Sequence, residues 1–210
     1  MIAALFVMPD GPYANRPDVD LWPESRDARL YSGPWPVVAH PPCQRWGRYW
    51  FGGPSCKVRK TIGDDGGCFA SALASVRRWG GVLEHPEASH AWGTFGLPAP
   101  AKSGGWERDL MGGWSCCVEQ GHYGHAARKA TWLYFVGPSE PPSLVWGKSA
   151  ATARLDDGYH SKEHRAAAKA SGTERRSLER LSVRQRTVTP DPFAEILIGL
   201  ARLSVRTEVA

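Results

Sequence analysis

Residues 67–86 read GCFASALASVRRWGGVLEHP, and this stretch decides the fold class. Phe69, Leu73 and Val76 recur at i, i+4 and i+7, so they share one face of a helix. Asp64 or Asp65 stands just before that helix as a cap, and Gly80-Gly81 closes it. Val82-Leu83 then opens a strand that runs into Glu84-His85-Pro86. Upstream, PVVAHPPCQRW (36–46) holds a second short strand, Val37–Ala39, stopped by Pro41-Pro42. A strand, a loop, a helix and a strand in that order form a unit that builds a parallel sheet.

The same reading extends outward. Ala3–Met8 is an apolar run that reads as a buried first strand, ended by Pro9-Asp10-Gly11-Pro12. Residues 13–36 are polar and broken by proline, with one short helix expected around Glu24–Tyr31. Residues 47–67 (GRYWFGGPSCKVRKTIGDDGG) and 93–113 read as loops. Strands are expected at Ser115–Gln120 and, more strongly, at Thr131–Val136. Helices are expected near 161–170 and 173–184, divided by Gly172. A last helix starts at Asp191-Pro192, and Phe193, Ile196, Leu197, Leu200 and Leu203 give it an apolar stripe that should dock on the sheet.

A length of 210 residues suits one domain with a small appended segment. No run of about 18 apolar residues is present, so no membrane span is expected. The N-terminus lacks the basic start of a secretion signal. The five cysteines, an odd number, show no C-x-x-C pairing. A metal site or a disulfide framework is therefore not expected, and a reducing cytoplasm with free thiols is. The net charge of +5 is local: residues 148–186 carry ten Lys/Arg against five Asp/Glu, which equals the whole surplus. Such a segment suits a polyanion, nucleic acid being the commonest, and it equally describes a solvated basic linker.

Cys43 follows two prolines at a strand end. Rigid flanks of that kind suit a thiolate that must be held at one place in a pocket. In a parallel sheet, ligands collect at the carboxyl ends of the strands, where both Cys43 and Glu84 fall. A cysteine nucleophile beside a carboxyl group is a recognisable pair for covalent attack with acid assistance. Trp46 and Trp50, close to the cysteine, are candidates for stacking on a base.

In their order, Pro41-Pro42-Cys43-Gln44, then Leu83-Glu84-His85-Pro86, then Tyr123-Gly124 followed by Arg128-Lys129 and Thr131–Gly137 resemble the DNA cytosine-5 methyltransferases. The spacing of 41 residues from Cys43 to Glu84 matches that family's step, and the likeness covers residues 36–137, with an echo at 187–203. The resemblance implies a truncated Rossmann-like methyltransferase sheet, α/β with mostly parallel strands and flanking helices, and a basic helical segment near the C-terminus. It divides the chain into a catalytic core (1–137), a reduced recognition segment (138–187) and a docking helix (188–210). It implies covalent attack by Cys43 on carbon 6 of a flipped cytosine and methyl transfer from S-adenosylmethionine to carbon 5. Glu84 would hydrogen-bond ring nitrogen 3 and the exocyclic amine. Pro42, Gln44, His85, Arg128, Lys129 and Trp46 would line the base site, and loop 47–67, with Arg48, Lys57, Arg59 and Lys60, would cover the base and grip phosphates.

This chain departs from the family in several places, among them the Arg-x-Arg motif, which becomes Lys129-Ala130-Thr131, and the closing Gly-Asn, which is absent. Only 42 residues precede Cys43, and Phe6, Asp10 and Gly11 stand nearest to the family's glycine-rich cofactor turn. His85 replaces the family's asparagine, and the recognition domain is reduced to about 50 residues, which points to a phage or mobile-element origin. The alternatives are the same pyrimidine pocket with another one-carbon donor, and a DNA-binding relative without catalysis.

Overall fold

The computed structural model describes residues 1–52, 56–155, 162–171 and 178–205. Its elements are β1 (Ile2–Leu5), β2 (Val19–Trp22), β3 (Val37–Ala39), α1 (Cys68–Trp79), β4 (Gly81–Pro86), α2 (His90–Thr94), β5 (Glu107–Arg108), β6 (Trp114–Glu119), β7 (Ala130–Val136), β8 (Ala153–Arg154), α3 (Lys162–Ala170), β9 (Glu179–Arg180), α4 (Val183–Thr187) and α5 (Asp191–Leu203). The fold is mixed α/β. Seven strands form one sheet in the order β2-β1-β3-β4-β7-β6-β5. The first four run parallel, whereas β7, β6 and β5 each lie antiparallel to their neighbour. The expected mostly parallel sheet is thus parallel in one half only. Adjacent strands β6 and β7 are joined by a short connection, which forces antiparallel pairing.

The unit at 37–86 forms as its pattern dictates. The Asp65 carboxylate accepts from the amides of Gly67 and Phe69, both at 2.9 Å, and satisfies donors that the first turn of α1 leaves unpaired. Phe69, Leu73 and Val76 are buried against the sheet. Gly81 has φ +117, and a Cβ there would lie 1.9 Å from the Val37 carbonyl oxygen, so only glycine lets β4 pair with β3. α1 and α2 cover one face of the sheet and α5 covers the other. Leu197 and Ile198 of α5 are fully buried, each contributing about 1.5–3 kcal/mol by the area removed from water.

Residues 13–36 hold a strand, β2, that the proline-broken pattern does not announce. β2 is a half-buried edge strand, and its Val-Asp-Leu-Trp sequence gives no long apolar run. The helix expected at Glu24–Tyr31 is two 3₁₀ turns, 24–26 and 28–30, because Asp27 takes a left-handed conformation between them. The helix expected near 173–184 begins only at Val183, where Ser182 and Gln185 form a capping box. Before it, Glu179–Arg180 pairs with Ala153–Arg154; residues 172–177 lie outside the described residues. The segment after 137 is tied to the sheet: Trp106 donates to the Pro142 carbonyl at 2.9 Å and Glu119 accepts from Ser149 at 2.6 Å.

Candidate active site

β1 is flanked by β2 on one side and β3 on the other, so the chain reverses its direction of travel across the sheet there. Outside the carboxyl ends of β1 and β3 such a reversal leaves a crevice, the usual ligand position in open α/β sheets. Phe6 ends β1 at φ +58, an unusual conformation for an aromatic residue, and turns the chain out of the sheet. The loop that follows brings Tyr13 back over the end of β3, where it is 2% exposed.

Strand alternation places the site side chains. Val38 and Val82 face α5, so His40 and Glu84, two residues on, face the same way. They meet: His40 Nδ1 lies 3.0 Å from Glu84 Oε2. Tyr13 Oη lies 2.7 Å from His40 Nε2. On the other carboxylate oxygen, Gln120 Nε2 donates to Glu84 Oε1 at 3.1 Å and to Thr131 Oγ1 at 3.0 Å. Both oxygens of Glu84 therefore have partners, and its side chain is 13% exposed.

Cys43 and Lys129 complete the group. Burial pushes the Cys43 thiol above its ordinary pKa, and the Glu84 charge adds to that rise; a backbone hydrogen bond and Lys129 oppose it. Cys43 therefore rests as a thiol. Burial alone would raise Glu84, but the His40 hydrogen bond and the charges of His40, Lys129 and His85 hold it below the ordinary carboxylate value. Burial lowers Lys129, while Glu84 and Cys43 raise it. Lys129 has φ +44, and its ammonium donates to the Val188 carbonyl at 2.8 Å. Cys43, Glu84 and Lys129 thus share one electrostatic environment.

Other expected site residues lie elsewhere. Pro42 and Gln44 are exposed beside Cys43. Arg128 is exposed and donates to the Ser149 carbonyl at 3.2 Å. Trp46 is a correction: it is 5% exposed, packs on Phe69 and Phe95, and donates to Asp65 at 2.7 Å, so its faces belong to the core. His85 is a second correction. One residue past Glu84, it points to the opposite face of the sheet and is 1% exposed. Its Nδ1 lies 2.7 Å from Ser89 Oγ, and its Nε2 is buried without a hydrogen-bond partner among the described residues. It has no open side for a base.

Asp10 and Gly11 line a cleft of about 560 Å³ together with Pro9, Pro12, Ala14, Asn15, Arg16 and Asp191. Phe6 is not among these residues and packs against the α1-side core. Cys43 and Glu84 are also outside the cleft; Tyr13, flanked by the cleft residues Pro12 and Ala14, turns inward between it and His40. Three site residues, Tyr13, His40 and Gln120, were not singled out from the sequence. The signal for His40 was present, since it stands at an even step from Val38 beside the strand that carries Glu84.

Burial pushes the His85 pKa from 6.5 to about 4. Between those values the unfolded chain binds a proton that the folded chain excludes, so stability falls as pH drops from 6.5 towards 4. The expected loss is roughly 3 kcal/mol. Urea unfolding of the wild type and of His85→Gln at pH 7 and pH 4 measures it: the variant should lose less stability on acidification, and the difference between the two losses is the His85 share.

All five cysteines are free thiols. Among the described residues no group of three or more His, Cys, Asp or Glu could hold a metal ion, and no helix is long and apolar enough to cross a membrane. No protein-family model, curated protein or solved structure matches the chain.

Proposed function

We propose that this chain is a DNA base-modifying enzyme that acts on cytosine at carbon 5, built on a shortened Rossmann-like methyltransferase sheet. What supports the reading is that Cys43, Glu84 and Lys129 share one electrostatic environment at the carboxyl ends of β3 and β4, beside the reversal of strand order. The Cys43 thiol gives its proton to solvent, and the thiolate forms a bond to carbon 6 of a cytosine turned out of the stack. The pair of electrons from the 5,6 double bond moves to carbon 5, which is otherwise a poor nucleophile. Once carbon 5 has taken the methyl group, loss of the carbon-5 proton to solvent expels the sulfur and restores the ring. Glu84 holds ring nitrogen 3 and the exocyclic amine, so charge gathered there is neutralised. Lys129 lowers the cost of forming the thiolate, because its ammonium opposes the Glu84 charge at Cys43.

S-adenosylmethionine would take the cleft after β1, whose lining carries Asp10 and Asp191 along with Arg16. A volume of about 560 Å³ lies within the usual range for such ligands, and Asp10 and Asp191 suit a ligand with cationic centres and ribose hydroxyls. Those two carboxylates would hold it, and when bound it supplies the electrophilic methyl group. DNA would lie along loop 47–67, where Lys57, Arg59 and Lys60 are exposed and Arg59 stacks on Phe51 at 5.3 Å. Arg180 and Arg184 of the basic segment are exposed and extend the positive surface. One observation favours a second reading, a DNA-binding relative without turnover: neither Cys43 nor Glu84 lines the cleft.

Incubation with cytosine-containing DNA and S-adenosylmethionine, followed by mass spectrometry of digested nucleosides, separates the two. 5-Methylcytosine is the expected product. DNA that is bound but contains only unmodified cytosine would contradict the enzymatic reading.

A further inference from the structure

Gln120 directly follows β6 and is fully buried. Its amide nitrogen donates both to Glu84 Oε1 and to Thr131 Oγ1, and that orientation is forced. Thr131 commits its single hydroxyl proton to the Lys129 carbonyl at 3.0 Å, so towards Gln120 it can only accept. An ionised Glu84 likewise only accepts. Both protons of the Gln120 amide are thus in use, while its Oε1 has no hydrogen-bond partner among the described residues. A buried acceptor left unpaired costs stability. A methionine would fill much the same space and leave no orphan oxygen, so packing alone does not account for an amide here. Its two donated bonds do. Gln120 also reaches the Lys129 turn through its backbone: its N–H donates to the Lys129 carbonyl at 3.2 Å, the same oxygen that accepts from Thr131. Lys129 has φ +44, a conformation that a lysine keeps only where its surroundings hold it.

We propose that Gln120 is the positioning residue of this site: one amide fixes the Glu84 carboxylate against the turn that carries Lys129, so that acid and cation keep one arrangement around Cys43. Its part in turnover rests on the cytosine-5 reading, in which Glu84 must meet the base at one angle and Lys129 must oppose the Glu84 charge at the sulfur. Each carboxylate oxygen offers two acceptor directions. Gln120 occupies one on Oε1 and His40 meets Oε2, which leaves one on each oxygen and fixes how they point. Without the Gln120 amide, Glu84 is held from the His40 side alone, and its carboxylate can turn about its last bond. Gln120 is fully buried, so it acts through Glu84 and not on the base.

Steady-state methylation of cytosine-containing DNA by Gln120→Met tests the role. kcat should fall about a hundredfold, the scale expected when a catalytic group is misplaced, with KM for DNA within about twofold of the wild type. In a Glu84→Gln background the same substitution should cost less than about threefold more, because the residue through which it acts is already changed. A merely structural role would lower both backgrounds alike. Thr131→Val keeps the shape, removes the hydroxyl and should lower kcat in the same direction by a smaller factor, which keeps the test decisive if Gln120→Met folds poorly. Wild-type kcat in Gln120→Met, or a loss that multiplies in full with that of Glu84→Gln, would overturn the proposal. In the free protein, ¹H–¹⁵N spectra of the side-chain amides read the hold directly, and with three glutamines in the chain the Gln120 pair is readily assigned. Both of its protons should exchange slowly with solvent, and the pair should shift on Glu84→Gln and on Thr131→Val. Fast exchange, or signals blind to both substitutions, would also overturn it. Absence of any methyl transfer by the wild-type chain would instead contradict the cytosine-5 reading, and the amide spectra would still decide whether Gln120 holds Glu84.

Discussion

Cys43→Ser is expected to lower formation of 5-methylcytosine by about four orders of magnitude or more, with DNA binding retained. Serine is close to cysteine in size, so the half-buried position beyond β3 should accept it with little change in packing. The chemistry is what changes. An alcohol is far less acidic than a thiol, and Cys43 already pays for burial and for the adjacent Glu84 charge. Lys129 can help a thiolate form there, but an alkoxide at the same place is out of reach. On the proposed reading DNA affinity would rest on loop and segment cations away from the sulfur, so salt-sensitive binding should persist. Product quantification and a binding titration on the same preparation check both halves.

Phe69→Ala should destabilise the fold by about 3–5 kcal/mol, measured as a fall in the urea midpoint. Phe69 is fully buried at the first turn of α1. Its ring meets Trp46, His85, Trp92 and Phe95 at centroid distances of 5.1–5.8 Å. Four aromatic neighbours cannot all collapse into the space that alanine leaves, which puts the cost towards the upper part of that range. One of those neighbours reaches the site: the Trp46 amide donates to the Cys43 carbonyl at 3.0 Å. Phe69→Leu, which keeps most of the volume, should cost less than half as much.

These effects show why parts of the molecule were legible and others were not. The apolar period of Phe69, Leu73 and Val76, with Asp65 before it and Gly80-Gly81 after it, fixes α1 within a residue or two. Val37–Ala39 and Thr131–Val136 were readable because buried strands need continuous apolar runs. β2 was hidden because an edge strand buries little, and its Val-Asp-Leu-Trp stretch lies between prolines. Trp46 looked available for a base because it follows the cysteine closely; only the Asp65 hydrogen bond and the Phe69 and Phe95 contacts show it turned inward. His85 was grouped with Glu84 by sequence adjacency, yet adjacent residues of a strand point to opposite faces. The same rule run forward joins His40 to Glu84. Gln120 reaches Glu84 through the pairing of β6 with β7, a contact 36 residues apart with no local pattern to announce it.

Duplex DNA carrying 5-fluorocytosine, incubated with the protein and S-adenosylmethionine, most directly tests whether Cys43 attacks a pyrimidine. Fluorine at carbon 5 blocks the proton loss that would let the sulfur leave, so the adduct persists. A denaturation-resistant protein–DNA complex is expected, with its bond mapped by proteolysis and mass spectrometry to the peptide that contains Cys43. A duplex that is bound but never covalently joined, or an adduct on Cys56 or Cys68, would contradict it.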